Sequence, residues 1–361
     1  MLVHICCSVD SHYFLQKLQK HCIDEELIGF FYDPNIHPYS EYRLRLLDVQ
    51  RSCDMLGIKL IEGEYDYKGW LKAVRGLENE PEKGARCSVC FDNRFEATAK
   101  LAQKLKQKTY TSTLLTSPKK SISQLELSGK SIGARYGVDF VAFDFRKDSG
   151  TQEQNILAKR DKLYRQDYCG CMFALNQQRA QQNKISDELF SPISNQIQPE
   201  SIEYRLQMYQ QRLEYEEKGI EYKIVKQRFL NYRLLRGYLK VKKEITPAHF
   251  LPYSVIKNGY TRGRIEYSIE KLHYLNRDEV KFVSLKNYNL LTNSNYNSVV
   301  ELIYNPPSFE VELKARDLLN MQNYDLCTII VVDEIPTQKL EIVCDSKVFE
   351  DVKEVLIKLN S

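Results

Sequence analysis

The sequence predicts an open parallel α/β sheet with helices on both faces, followed by a mixed α+β C-terminal domain. Three observations carry that expectation. Short apolar runs over residues 1–6, 27–32, 59–61, 109–114 and 139–145 read as strands. Segments of helical spacing over 12–20, 40–56, 93–106 and 123–136 lie between them, and strands separated by helices pair in parallel through right-handed crossovers. The alternation then stops at a stretch rich in Ser, Asn and Pro, 186–199, which reads as a linker.

Taken in order, the first strand runs into a helix that Asp10 or Ser11 could cap. The second ends at Asp33 and gives way to a turn made by Pro34 and Pro38 before the helix over 40–56. The third is short, the fourth follows the helix over 93–106, and the fifth follows the helix over 123–136. Ligands of such sheets collect beyond the C-terminal strand ends, where Cys6, Cys7, Asp10, Asp33 and Asn35 fall. The expected division is a catalytic metal-binding domain over 1–185 and a second domain over 196–361. The second domain should open with an amphipathic helix over 201–218, contain an apolar stretch over 327–332, and close with a helix near 346–359.

Hydrophobic residues make up 43% of the 361 and charged residues 28%, which fits an ordinary soluble globular protein. No run of 18 apolar residues appears, and the first residues lack the pattern of a signal peptide, so a cytoplasmic location with no membrane partner is expected. In a reducing compartment ten cysteines do not make a disulfide framework, and clustered thiols point to metals or redox work.

The cysteines sort cleanly. Cys22, Cys53, Cys327 and Cys344 are isolated and read as small buried apolar residues. The other six form three pairs, Cys6-Cys7, Cys87-x-x-Cys90 and Cys169-x-Cys171. Structural zinc takes four ligands from two spaced pairs on a small ribbon. Six thiols from three separate junctions suit an iron–sulfur cluster better, with two left to hold another metal ion or to cycle as a dithiol. Asp10 is the carboxylate nearest in sequence to any pair, and helix capping is its alternative role. The spacing of ICCSVDS is similar to SGGxDS, the phosphate loop of ATP-pyrophosphatases, with thiols where the glycines would be. That likeness suits a Rossmann-like sheet of the ATP-pyrophosphatase or adenine nucleotide hydrolase kind.

Charge is uneven. Residues 201–300 hold 18 Lys and Arg against 10 Asp and Glu, a local +8, whereas 301–361 hold 6 against 12, a local −6. The basic block suits a polyanion, and within it 223–243 interleaves cations with Phe229, Tyr232 and Tyr238. Cations can contact phosphates while aromatics stack on unpaired bases. Arg233, Arg236 and Lys240 are its candidate phosphate contacts.

Four separate stretches carry a family resemblance. FFYDPNIHPYSEYRLR resembles the block FYNPNIHPxxEYxxR of the QueH (DUF208) epoxyqueuosine reductases, and ARCSVCFDNR, TSTLLTSPKK and LYRQDYCGC follow in register over roughly 1–180. The family opens with CCAPC or a variant; this chain has CCSVD, with Asp10 in the last place, and Asp33 where the block usually has Asn. The resemblance implies reduction of epoxyqueuosine to queuosine at the wobble position of tRNAs with GUN anticodons, without cobalamin, on a 4Fe–4S cluster and with an external electron donor. It assigns Cys6, Cys7, Cys87 and Cys90 to the cluster, and Cys169, Cys171 and Asp10 to a redox pair or an additional iron ion. Adjacent side chains in a strand point to opposite faces, so Cys6 and Cys7 share one cluster only if the backbone turns there; otherwise one of them belongs to the second metal. His37 could protonate the opening epoxide or shape the proline turn, and Tyr168 could stack on the base or pack in the core. Asn35, Tyr42, Arg43, Arg86, Lys119 and Arg165 are candidate contacts to the tRNA, and Glu41 with Arg45 reads as a surface ion pair. An ATP-dependent tRNA thiolase and a zinc-stabilised RNA-binding protein are the competing readings.

Overall fold

The first five strands are short, and the central ones are buried on both faces while the edge strands are partly exposed. In a computed structural model, which describes residues 1–118, 120–190, 194–276, 280–320 and 325–359, these are β1 (Leu2–Ile5), β2 (Ile28–Phe31), β3 (Lys59–Glu62), β4 (Thr109–Ser112) and β5 (Asp139–Phe140). They form one parallel sheet in the order β3-β2-β1-β4-β5. The helices are α1 (Ser8–His21), α2 (Tyr39–Leu56), α3 (Tyr67–Ala73), α4 (Ala85–Lys104), α5 (Ile122–Tyr136), α6 (Gly150–Arg160) and α7 (Met172–Gln181). α1 packs against α2 and α6, and α4 against α5. Every residue of β1 and β2 is buried, as expected of parallel strands covered on both faces. Strand order reverses at β1, so the C-terminal ends of β1 and β4 frame the crevice where such sheets bind ligands.

The chain divides into two compact units: Met1–Phe190 with Arg205–Tyr222 and Lys358–Ser361, and Ser191–Tyr204 with Lys223–Ile357. The helix expected over 201–218 is α8 (Ile202–Glu217), and the first unit takes up its length from Arg205. There Arg212 pairs with Asp48 at 2.7 Å, both fully buried.

In the second unit the strands are β6 (Tyr222–Val241), β7 (Glu244–Thr246), β8 (His249–Phe250), β9 (Tyr260–Gly263), β10 (Ile265–Ile269), β11 (Leu272–Leu275), β12 (Lys281–Ser284), β13 (Ile329–Val332) and β14 (Leu340–Lys358). One sheet runs β10-β11-β12-β13-β8 and is mixed, since only β12 and β13 pair in parallel; another runs β7-β6-β14-β9. Helices α9 (Leu285–Thr292), α10 (Val299–Tyr304) and α11 (Phe309–Leu319) complete it.

Two expectations change. The helix near 346–359 is the outer part of β14, hydrogen-bonded beside β6. Its apolar spacing admits a helix, but Val348, Val352, Val355 and Ile357 are β-branched and find a strand to pair with. The helix expected to begin at Asn93 begins at Ala85, after Gly84 in an extended N-cap conformation, and this earlier start brings Cys87 and Cys90 into its first turns.

Candidate metal centre and active site

Three chain segments deliver the paired cysteines to one place. β1 ends at Ile5, Cys7 is the N-cap of α1, and the turn between them brings the Cys6 and Cys7 sulfurs to 3.9 Å. Cys87 and Cys90 sit three apart on α4, hence on one face. Cys171 is the N-cap of α7. Before it, Gly170 has φ +100°, where an L side chain is strained, and an added Cβ would lie 2.7 Å from Ile36. The Gly170 carbonyl accepts the His37 backbone N–H at 2.9 Å. All three pairs thus lie at helix N-termini, whose partial positive charge favours thiolates.

Cys6, Cys87, Cys90, Cys169 and Cys171 line a single narrow cleft, with Asp10, Asn35, Trp70, Arg86, Arg94, Lys120 and Gln166 in its wall. Cys7 lies just behind Cys6. The two sulfurs and the Asp10 carboxylate come within 4.8 Å of one another. Asp10 is therefore grouped with Cys6 and Cys7, not with Cys169 and Cys171. It does not cap α1 either, being that helix's third residue, and it accepts Gln154 Nε2 at 2.7 Å. Burial pushes its carboxyl up to about 6, against hydrogen bonds from Cys7 and Gln154.

The thiols differ in electrostatics. The hydrogen bond from Cys171 holds Cys169 down to about 5, aided against desolvation by the charge of Lys120. Cys171 is pushed up by that same hydrogen bond and by burial. Cys7 is raised by its hydrogen bond with Cys6 and by burial, and Cys90 chiefly by burial. A second, roomier lobe shares Asp10, Ser117, Lys120, Gln166 and Cys169 with the cleft and adds Gln154, Asn155 and Arg165.

The other expected residues divide. Asn35 is at the cleft, its Nδ2 donating to the Cys169 carbonyl at 3.4 Å. Arg165 is exposed beside the second lobe and donates to Asn155 at 2.8 Å. Lys119 lies outside the described residues. Tyr42 is not free to face a nucleoside: it is buried, and its hydroxyl donates to Glu62 at 3.2 Å. Arg43 is half-exposed beside Glu62 and does not line the cleft. Arg86 is buried with Nη1 on the Leu77 and Glu78 carbonyls, so it is an interior wall residue and not a surface phosphate contact. His37 stacks on Tyr67 at 4.8 Å outside the cleft lining, and its carbonyl accepts the Tyr168 hydroxyl. Tyr168 packs inside, under Arg45. Glu41 and Arg45 are a buried pair at 2.7 Å, with Arg45 also donating to the Tyr168 carbonyl, because this face of α2 turns inward.

Arg233 is 1% exposed and donates to Asn231 Oδ1 and the Tyr232 and Pro199 carbonyls. It lies an odd number of residues from Arg236 and Lys240, which places it on the opposite face of a strand. Arg236 is exposed and bound to Asp345 at 2.7 Å, and Lys240 lies over Tyr238. Tyr232 is likewise core, its hydroxyl on the Ser254 carbonyl.

Sequence reasoning passed over Lys120, Arg94 and Trp70. Lys120 neighbours Lys119 in the PKK run, and Arg94 stands four residues after Cys90, one helical turn along the same face. Trp70, the chain's one tryptophan, lies in no motif. Arg94 binds Asp33 at 2.8 Å in the interior. Burial nevertheless pushes Asp33 up to about 6, against the Arg94 charge. The folded state therefore keeps a proton between about pH 4 and 6 that the unfolded chain releases, and wild-type stability falls through that window as pH rises. Relative to Asp33→Asn the loss should approach about 3 kcal/mol above pH 6. Urea denaturation across this range tests it, and parallel curves for the two proteins would refute it.

The family model described as Epoxyqueuosine reductase QueH matches residues 1–177. A relative from Helicobacter pylori, named Epoxyqueuosine reductase QueH, is 40% identical over 369 residues, covering 98% of this chain and 99% of its own. One of the same name from Thermotoga maritima is 36% identical over 189 residues, covering 52% of this chain and 95% of its own. Among solved structures, the U34-tRNA thiolase NcsA from Methanococcus maripaludis with its 4Fe-4S cluster aligns at a TM-score of 0.33 and 15% identity, covering 60% of this chain and 73% of that one.

Proposed function

The chain belongs to the epoxyqueuosine reductase QueH family and is an epoxyqueuosine reductase acting on tRNA; we propose that the reaction runs in the six-thiol cleft, on a 4Fe–4S cluster with an iron ion beside it. The observation that carries this reading is the donor set: six thiols and one carboxylate at one strand-end crevice, walled by buried cations. It fits two metal sites. Cys87, Cys90, Cys169 and Cys171 would hold the cluster, and Cys6, Cys7 and Asp10 the single ion, since a carboxylate suits a harder site than sulfide. This regroups the assignment drawn from the family resemblance, in keeping with where Asp10 lies.

Deoxygenation breaks both C–O bonds of the epoxide, forms the C=C bond and releases water, consuming two electrons from an external donor and two protons. The metals, when bound, supply electrons singly and a Lewis acid for the oxygen. The rest falls to the chain. The second lobe admits the modified nucleoside of a GUN anticodon loop, Gln154 and Asn155 offer amides to its polar groups, and Arg165 meets a phosphate at the rim. Lys120 balances the negative charge of the thiolates and can deliver a proton at the lobe's inner end.

Purified anaerobically, the protein should contain iron, show iron–sulfur absorbance and convert epoxyqueuosine in tRNA to queuosine when given a reductant. A colourless zinc protein without turnover would sink the reading. The finer partner claim is tested on β6, where Arg228, Arg236 and Lys240 are spaced by even numbers. Replacing all three with Gln should weaken tRNA binding and flatten log affinity against log salt by roughly 0.7–0.9 for each phosphate no longer neutralised. An unchanged slope would make this face solvated only. No described helix is long and apolar enough to cross a membrane, and we place the reaction in the cytoplasm.

A further inference from the structure

Of the nine buried side-chain atoms without a hydrogen-bond partner among the described residues, four line the cysteine cleft: Asn35 Oδ1, Trp70 Nε1, Arg86 Nη2 and Gln166 Oε1. Trp70 and Arg86 can only donate, and each is 1% exposed. A buried donor left unpaired costs about 1–3 kcal/mol, so two of them facing one cleft imply an acceptor that occupies it.

Arg86 adds a second argument. No carboxylate lies within ion-pair distance of it among the described residues, and a buried cation without an anion is strongly unfavourable. Its guanidinium is held rigidly: Nη1 donates to the Leu77 and Glu78 carbonyls at 3.0 and 2.8 Å, and the Phe173 ring lies 5.6 Å away. Nη2 is left facing the cleft. Trp70 is fixed by stacking on Tyr67 and Phe173 at 5.9 and 6.2 Å. Trp70 packs in one cluster with Cys90 and Cys171, beside the thiols proposed to hold the iron–sulfur group.

We infer that Trp70 and Arg86 donate to the anionic sulfur of the iron–sulfur site and thereby set its reduction potential, an inference that rests on the cluster reading above. Reduction adds an electron to a group already negative. Donors and a desolvated positive charge beside its sulfurs favour the reduced form and raise the potential.

The test uses the full chain with its metals, purified anaerobically, with iron analysis and a redox titration followed by visible absorbance. Trp70→Phe keeps an aromatic ring in the stack and removes one donor. It should retain wild-type iron and show a more negative midpoint, approaching a tenfold loss in the reduction equilibrium, which is 59 mV for one electron. Arg86→Gln should move the midpoint further in the same direction. Should Arg86→Gln fail to fold, the Trp70→Phe midpoint decides alone. Full iron with a wild-type midpoint in Trp70→Phe overturns the inference and leaves the cluster reading standing. Wild-type protein without an iron–sulfur spectrum overturns both.

Discussion

Cys87→Ala and Cys90→Ala are each expected to strip the iron–sulfur absorbance and abolish turnover. Alanine is the best helix former, so α4 keeps its helix while one iron loses its thiolate. Far-UV circular dichroism should therefore stay at the wild-type value as the visible spectrum goes. Asp10→Ala should behave differently, losing about one iron per chain with the cluster absorbance retained, as a separate carboxylate-bound ion requires. Cys327→Ala and Cys344→Ala, on the second unit, should leave iron content alone. Full iron and turnover in either α4 variant would remove that pair from the metal centre.

Asp48→Ala should cost the first unit most of its stability. The carboxylate is fully buried and accepts the Arg212 guanidinium and the Tyr164 backbone N–H, each at 2.7 Å, as well as the Ser8 hydroxyl. Alanine leaves Arg212 buried and uncompensated, at about 3–5 kcal/mol. The orphaned Tyr164 N–H adds about 1–3 kcal/mol. Against a total of about 5–15 kcal/mol for a domain, such a loss is decisive. Lys130→Ala, which breaks the exposed Lys130–Glu126 pair, should shift stability by no more than about 1 kcal/mol. Urea midpoints for the two variants make the comparison, and equal midpoints would show that the buried pair is not holding α8.

Local chemistry was legible in the sequence where it was concentrated. Three close pairs of thiols suggest a metal site without any structure, and strand–helix alternation places one of them, Cys6-Cys7, at a strand end; the other two lie at helix starts that no strand precedes. What sequence could not resolve depended on neighbours distant in the chain. Arg233 and Arg236 are the same residue type three apart, yet pairing of β6 buries one and exposes the other. Arg86 immediately precedes the CxxC motif and has the look of a surface cation, but the carbonyls of Leu77 and Glu78 draw it inside. Trp70 reaches the cleft only because α3 packs on α4, a neighbour relation with no trace in either helix's pattern. The end of the chain failed for a related reason: its spacing admits a helix, and the decision belongs to β6.

The placement of the thiols has a consequence for how the protein is made. Cys6 is among the first residues synthesised and Cys171 among the last of this unit's thiols, with β2 to β5 between them. At about 5–20 residues per second, the last pair follows the first by roughly 8–33 s. During that interval Cys6 and Cys7 belong to a chain that has no pocket to shelter them. The four thiols proposed for the cluster lie at two separate helix starts, Cys87 and Cys90 on α4 and Cys169 and Cys171 before α7, so that site is complete only when both have folded. Insertion of a cluster held by those four thiols would therefore follow the folding of α7, while Cys6, Cys7 and Asp10 are together on the chain from the start.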